Sequence, residues 1–125
     1  MCETISVSSL GKTWILDLDG TIVKHNGYKL DGEDTLLPGA VDFFDHLGAE
    51  DMVVFITSRP KAMAQQTEDF LRRQHIPFSA VIYDAPYGER ILVNDRKPSG
   101  LATAVAINTA RDEFMQTVFE VDESL

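Results

Sequence analysis

Short apolar runs alternate along this chain with longer segments whose apolar residues recur every three or four positions. Four runs, at residues 13–17, 52–57, 80–83 and 90–95, are predicted to be buried strands. A further strand is predicted at residues 117–121. The first twelve residues are small and polar, which predicts a loose lead-in or an edge strand.

Helices are predicted between these strands. One begins at Pro38 and ends near Gly48, with apolar residues at three-residue steps between them. A second follows Ser58 and Pro60, because serine caps helix starts and proline suits the first turn. A third is predicted from about Ser99. The charged, glycine-containing stretch before Pro38 is predicted to be irregular.

The order of these elements predicts the fold class. Strands that are apolar on both sides, with helices between them, indicate an α/β fold with a mostly parallel sheet covered on both faces. Right-handed crossovers then produce a three-layer, Rossmann-like domain. We expect residues 1–125 to form this single domain without a cap domain. Only forty residues separate Asp17 from Thr57, and twenty-seven separate Thr57 from Asp84, which leaves no room for an inserted cap.

Charge and composition narrow the classes of partner. The chain has 20 acidic residues against 11 Lys and Arg, a formal net charge of −9, which disfavours nucleic acid and anionic membranes as partners. Its longest apolar run, residues 52–56, is far shorter than the ~18 residues of a membrane span.

The single cysteine, Cys2, excludes an intramolecular disulfide. With no signal-peptide pattern, the expected location is the cytoplasm.

Oxygen-bearing polar side chains follow three of the four predicted strands. They are Asp17 and Asp19, Thr57 and Ser58, and Asn94 and Asp95. The carboxyl ends of parallel strands meet at one crevice, so these groups are expected to converge there. Converging carboxylates predict a hard cation, most commonly Mg²⁺.

Beside such a cation, Asp17 can attack a phosphoryl group and form an aspartyl-phosphate. Asp19 is placed to protonate the leaving oxygen and then to activate water. The Thr57 hydroxyl and nearby backbone N–H groups can hold the phosphoryl oxygens.

The same residues resemble the motifs of a known family. Asp-Leu-Asp-Gly-Thr at 17–21 resembles the first motif of the haloacid dehalogenase (HAD) superfamily of phosphatases. Thr57 resembles its second motif, and Asn94 with Asp95 resembles its fourth. The resemblance implies a Rossmann-like core, Mg²⁺ dependence and an aspartyl-phosphate intermediate.

By residue, the resemblance implies that Asp17 is nucleophile and metal ligand. The resemblance also implies that Asp19 is the general acid and base and that its backbone carbonyl binds the metal. Asn94 and Asp95 would complete the metal coordination. The residues beside the motifs form the expected phosphate-binding set. They are Leu18, Gly20, Thr21, Ser58 and Arg59.

The chain departs from the family at the third motif, a lysine that neutralises nucleophile and phosphate. The expected region, residues 84–89, holds no lysine, and Ala85 stands at its place. We predict Lys97 as the catalytic replacement, with Arg59 a second source of positive charge, because Arg90 begins a strand and is expected to point away. If nothing replaces the lysine, the chain is a weak or silent binding or regulatory module.

A capless crevice is open, which suits a large substrate or a homodimer that closes the site. The residue types at 24–29, with two lysines, a histidine and a tyrosine, suit a phosphorylated sugar. The region after Asn94 also looks like phosphatases associated with capsule or polysaccharide synthesis. The predicted function is hydrolysis of a small phosphate monoester, specifically a sugar phosphate. Two competing functions are a phosphomutase and a phospho-accepting receiver module; a receiver places its phosphorylated Asp after the third strand.

Overall fold

A computed structural model describes residues 3–125; Met1 and Cys2 lie outside the described residues. The described residues form five strands, three α-helices and one 3₁₀ turn. In chain order they are β1 (Thr4–Val7), β2 (Thr13–Leu16), α1 (Gly27–Leu30), α2 (Ala40–Asp45), β3 (Met52–Ile56), the 3₁₀ turn (Lys61–Met63), α3 (Ala64–Arg73), β4 (Ala80–Ile82) and β5 (Val118–Val121). No helix among residues 3–125 is long and apolar enough to cross a membrane.

All the strands of the described chain pair in parallel, in two sheets. One sheet has the order β2-β3-β4, with Trp14 opposite Val53 and Phe55 opposite Val81. The other pairs β1 with β5, so residues 4–7 of the lead-in form an edge strand, and the predicted tail strand is confirmed. The predicted α/β fold with mostly parallel strands, of Rossmann-like type, is confirmed. The absence of a cap domain and the single-domain organisation stay predictions.

The core lies on one face of the three-stranded sheet. Side chains alternate between the two faces of a strand, and on β3 Val53 and Phe55 are buried. Helix α2 packs Phe44 against Phe55, with ring centroids 6.1 Å apart. Trp14 stacks edge-on against Phe43 at 5.1 Å and against Phe119 at 4.9 Å, so it joins both sheets to α2.

The opposite face of that sheet is only partly covered. Ile15, Met52 and Ile82 project to it, and each is about half exposed. The strand predicted at 90–95 and the helix predicted from Ser99, which would have extended and covered this sheet, are both wrong: residues 90–110 contain neither.

Two physical reasons account for this. A strand exists only through its ladder, and here the backbone hydrogen bonds locally, with the Lys97 N–H on the Leu101 carbonyl at 3.2 Å. From residue 101 to 109, β-branched or larger side chains alternate with alanine or asparagine. That is a period of two rather than 3.6, which disfavours an amphipathic helix there.

The helix boundaries also differ from those predicted. Ser58 makes no capping bond; instead the Asp84 carboxylate accepts the Lys61 N–H at 3.2 Å, at the start of the 3₁₀ turn that leads into α3. Helix α2 ends three residues before Gly48. The loop after it is held by Asp51, whose carboxylate accepts the Gly48 N–H at 3.2 Å and the Lys12 N–H at 3.0 Å. Helix α1 is a short helix inside the stretch predicted to be irregular.

Candidate functional site

A tight turn follows β2 and positions the two carboxylates of the first motif. The Leu18 carbonyl accepts three backbone N–H groups, from Thr21, Ile22 and Val23, at 3.0–3.2 Å. Gly20 adopts a left-handed φ of 82°, which glycine reaches without strain. The N–H of Gly20 is itself bonded to the Val23 carbonyl at 2.7 Å, so the N–H groups of Gly20 and Thr21 are already committed within the turn.

Two members of the expected phosphate-binding set therefore use their backbone donors for the turn. A third, Leu18, is 1% exposed, and its side chain belongs to the core rather than to the crevice. The Thr21 hydroxyl points instead at the first carboxylate and donates to Oδ2 of Asp17 at 3.4 Å.

Asp17 stands at the accessible side of the turn. Its side chain is 36% exposed, and Nη1 of Arg90 lies 3.0 Å from its Oδ1. Arg90 thus points toward Asp17, contrary to the expectation that it points away. It reaches Asp17 because residues 90–95 are not locked into a strand. The cation beside the candidate nucleophile is Arg90, and not the predicted Lys97.

Asp19, two residues on, has a different environment. Both of its oxygens accept from Arg59, with 2.9 Å from Nε and 2.8 Å from Nη2. On its other side Arg59 binds both oxygens of Asp34, at 3.0 and 2.7 Å. We call Asp19, Arg59 and Asp34 the arginine clamp.

The arginine of the clamp is almost wholly enclosed. Arg59 is 4% exposed, its fifth N–H goes to the Thr67 hydroxyl at 3.0 Å, and the Tyr28 ring lies 4.7 Å from its guanidinium carbon. Burial alone lowers the pKa of Arg59, but hydrogen bonds and charge from Asp19 and Asp34 outweigh it and raise that pKa above its ordinary value. The sequence predicts a phosphate-binding Arg59, yet every one of its N–H groups already has a partner.

Thr57 lies at the end of β3, beside the clamp. It is 1% exposed, and its hydroxyl oxygen accepts the N–H of Arg59 at 3.1 Å. Its own N–H donates to the Ile82 carbonyl at 2.9 Å, so it also joins β3 to β4. Ser58, next to it, is partly exposed. The structure therefore brings the second motif to the first motif, as the strand ends predicted.

Asn94, Asp95 and Lys97 are not brought to this turn. They lie in an exposed loop where the Asn94 side chain donates to the Thr103 carbonyl at 3.2 Å and the Thr103 hydroxyl donates to the Asp95 carbonyl. Among residues 3–125 there is no cluster of three or more Asp, Glu, His or Cys side chains that could hold a metal ion. The physical reason is the missing strand, which would have carried these residues to the crevice.

The loop between the turn and α2 is anchored on the site. Lys24 pairs with Asp31 at 2.9 Å, and Tyr28 covers Arg59, so two of the residues expected to suit a sugar are engaged within the protein. The His25 N–H donates to Asp112 at 2.6 Å, and the Asp112 N–H donates to the Gly20 carbonyl at 2.8 Å. Sequence reasoning missed Asp34 and Asp112 and expected Arg90 to point away, because each reaches the site through a long-range contact that no local motif marks.

No protein-family model and no curated protein matches the chain. Among solved structures, it resembles a chain in the structure of a Pnkp1/Rnl/Hen1 complex. The TM-score is 0.52 and the identity 24%, over 68% of this chain and 32% of that chain. A chain in the structure of the Pnkp1/Rnl/Hen1 RNA repair complex gives the same TM-score and identity, over 69% of this chain and 30% of that one. This chain spans about a third of the length of the chains it matches, and the likeness shows a shared fold.

Proposed function

We propose that this chain is a Mg²⁺-dependent phosphatase of the HAD superfamily, which hydrolyses a small phosphate monoester through an aspartyl-phosphate on Asp17. The observation that carries the proposal is the contrast between the two carboxylates of one turn. Asp17 is accessible and faces one cation, Arg90, whereas Asp19 is held by the arginine clamp. Two carboxylates in different surroundings suit different tasks, here attack and proton transfer.

The proposed reaction has two steps, formation and hydrolysis of an aspartyl-phosphate. In the first, a carboxylate oxygen of Asp17 bonds to phosphorus while the ester P–O bond breaks, and Asp19 gives a proton to the leaving oxygen. In the second, Asp19 takes a proton from water, the water oxygen bonds to phosphorus, and the bond to Asp17 breaks to release phosphate. Asp19 can take part while clamped, because each carboxylate oxygen has a second lone pair beyond the one that Arg59 uses.

Magnesium fits the oxygen donors of the turn. Mg²⁺ keeps several waters and is commonly held by one or two carboxylates together with substrate phosphate. The Asp17 carboxylate and the Asp19 backbone carbonyl would hold it, and the carbonyl accepts no hydrogen bond from the described residues. When bound, the ion supplies positive charge to the phosphoryl oxygens.

Arg90 is proposed to take the role of the missing lysine. A guanidinium 3.0 Å from the nucleophile can pair with a phosphoryl oxygen and offset the repulsion between the carboxylate and an anionic substrate. Its side chain is 38% exposed, so it can turn toward an incoming phosphate. Lys97, in contrast, lies in the loop that hydrogen bonds within itself.

The substrate class rests on charge and size. A net charge of −9 disfavours a polyanion, so a small ester such as a sugar phosphate is proposed, with a homodimer as one way to close the open crevice. The structural neighbours come from an RNA repair complex, and a phosphorylated oligonucleotide therefore belongs in any substrate panel.

A second candidate function is a catalytically silent binding module. It is favoured by the placement of Asp95, which is far along the exposed loop and adds no third carboxylate to the turn. Metal binding without turnover would be its signature.

The test is phosphate release from sugar phosphates, nucleotides, a 3′-phosphorylated oligonucleotide and p-nitrophenyl phosphate, with and without Mg²⁺. We expect Mg²⁺-dependent release by the wild type and its loss in Asp17→Asn. Asp45→Asn, an exposed substitution at the end of α2, is the matched control and should keep full activity. Release from none of these esters would favour the silent module, and preference for the oligonucleotide would overturn the small-ester class.

A further inference from the structure

We infer that Arg59 and Asp34 are positioning residues that fix the Asp19 carboxylate for proton transfer to the leaving group. The inference rests on the proposed phosphatase function. Within it, the arginine clamp makes the protein suited to esters of poor leaving groups, which need a proton as the P–O bond breaks.

The hydrogen bonding of Arg59 is complete. Its Nε and Nη2 bind the two oxygens of Asp19, and its Nη2 and Nη1 bind the two oxygens of Asp34. The last N–H donates to Thr67. Arginine has five N–H donors in a rigid plane, so two bidentate pairs fix the plane of each carboxylate as well as its distance.

A backbone hydrogen bond and an aromatic ring hold Arg59 itself in place. The Arg59 N–H is bound by the Thr57 hydroxyl at 3.1 Å, and the Tyr28 ring covers the guanidinium. The arginine thus connects four parts of the chain: the turn after β2, the loop before α2, the end of β3 and α3. Together these four parts fix Arg59, and Arg59 in turn fixes the orientation of the Asp19 carboxylate.

A phosphate-binding role for Arg59 fits the geometry less well. Such a role needs an exposed donor, but the Arg59 side chain is 2% exposed and all five N–H groups are used. Asp34 is also enclosed, with 6% of its side chain exposed, whereas 21% of the Asp19 side chain is exposed. Of the three clamp residues, Asp19 has the most accessible side chain.

Positioning of a general acid has a kinetic signature. A sugar or other alkyl phosphate loses a poor leaving group, so its hydrolysis depends on the proton from Asp19. p-Nitrophenyl phosphate loses a stable phenolate that needs little protonation. General acid catalysis contributes about 10²–10⁴-fold, so misplacing Asp19 should lower kcat/KM for the alkyl ester by about 10²-fold and kcat/KM for the aryl ester much less.

The experiment measures kcat and KM for both esters in the wild type, Arg59→Lys and Asp34→Asn. Lysine keeps the charge but not the planar fork, and asparagine keeps the shape while removing the charge. The matched controls are Arg72→Lys on the exposed side of α3 and Asp31→Asn in the same loop. Circular dichroism and thermal unfolding establish that each variant is folded.

We expect the ratio of aryl to alkyl kcat/KM, which reports the first step alone, to rise at least about tenfold in Arg59→Lys and to rise less in Asp34→Asn, with both controls like the wild type. If Arg59→Lys fails to fold, Asp34→Asn carries the test, because it leaves the pair of Asp19 and Arg59 in place. Equal losses in kcat/KM on both esters in an active protein overturn the inference alone. A rise in KM with kcat unchanged would make Arg59 a phosphate ligand. A wild type that hydrolyses neither ester overturns the proposed function, and the inference with it.

Discussion

Arg90 and Asp17 form an ion pair across seventy-three residues of sequence, with 3.0 Å between Nη1 and Oδ1. The pair ties an otherwise exposed segment to the turn after β2. Under the proposed function, it also places a guanidinium beside the carboxylate that an anionic substrate would approach. Since both side chains are more than a third exposed, their attraction adds little to the stability of the fold. Under the proposed function, we expect Arg90 to contribute to catalysis instead.

The first prediction concerns Arg90→Ala. Removing the guanidinium leaves the Asp17 carboxylate to repel the incoming phosphate, so kcat/KM for phosphate release should fall by about 10²-fold. Thermal stability should change little, because the pair is exposed. Steady-state kinetics and a thermal melt check both parts.

Arg96→Ala is the matched control for that prediction, since it removes an exposed arginine from the same segment. It should behave like the wild type. A large loss of activity in Lys97→Ala, with Arg90→Ala unaffected, would restore the replacement that the sequence alone predicts.

The second prediction concerns Asp51, which accepts hydrogen bonds from the Trp14 indole and from the Lys12 and Gly48 N–H groups. Burial alone raises the pKa of Asp51, but these donors outweigh it and hold that pKa below its ordinary value of 3.8. Asp51→Asn loses one acceptor oxygen, so the free energy of unfolding at neutral pH should fall by about 1–3 kcal/mol.

The pH dependence has a definite sign. A carboxylate whose pKa is lower in the folded state stabilises the fold above its unfolded pKa, and this contribution is lost as the pH falls through the folded value. The difference in free energy of unfolding between the wild type and Asp51→Asn should therefore be largest above pH 3.8 and should decrease below it. Urea unfolding at several pH values measures it. A difference that grows on acidification would contradict the assignment.

The third prediction concerns Gly20→Ala. At φ 82° an added Cβ is strained by the backbone alone, and it would also lie 3.3 Å from Cγ of Arg111. The free energy of unfolding should fall by about 1–2 kcal/mol, measured by urea unfolding. Activity should fall further, because the same turn carries Asp17 and Asp19.

Gly88→Ala is the matched control for the glycine, because its added Cβ meets nothing within 4 Å and its φ is not in the left-handed region. Its stability should stay within about 0.5 kcal/mol of the wild type. Equal losses at the two glycines would show that the turn conformation does not require glycine.

The fourth prediction tests the segment at residues 90–110, which forms neither helix nor strand. Trypsin should cleave after Arg96, in the exposed loop, well before it cleaves after Arg73 at the end of α3. Mass spectrometry of a time course identifies the first fragments. Protection of Arg96 would indicate that the strand and helix predicted from the sequence form after all.

The fold was predictable where the pattern is local and strong. The apolar runs predicted at residues 13–17 and 52–57 form β2 and β3, each one residue shorter at its end. The parallel pairing of β2 with β3 places Asp19 within 2.8 Å of Arg59. The run at 90–95 has a similar pattern but forms no strand. A strand needs a partner for its backbone, and the local sequence does not specify whether one is present.

The candidate site was predictable to the same extent. Strand ends brought the first and second motifs together, whereas the counter-charges came from elsewhere. Asp34 lies in a loop with several other acids, and nothing in its neighbours distinguishes it. The apolar pattern predicts Arg90 in a strand, and its contact with Asp17 depends on that strand being absent.

The position of Trp14 provides a built-in optical probe. It is the single tryptophan of the chain, and its ring touches Phe43 and Phe119 while its N–H is held by Asp51. Its fluorescence therefore senses the junction where the two sheets and α2 meet, with no label added. Separation of β5 from this junction would expose the indole to water and move its emission to longer wavelengths, even while the three-stranded sheet stays paired.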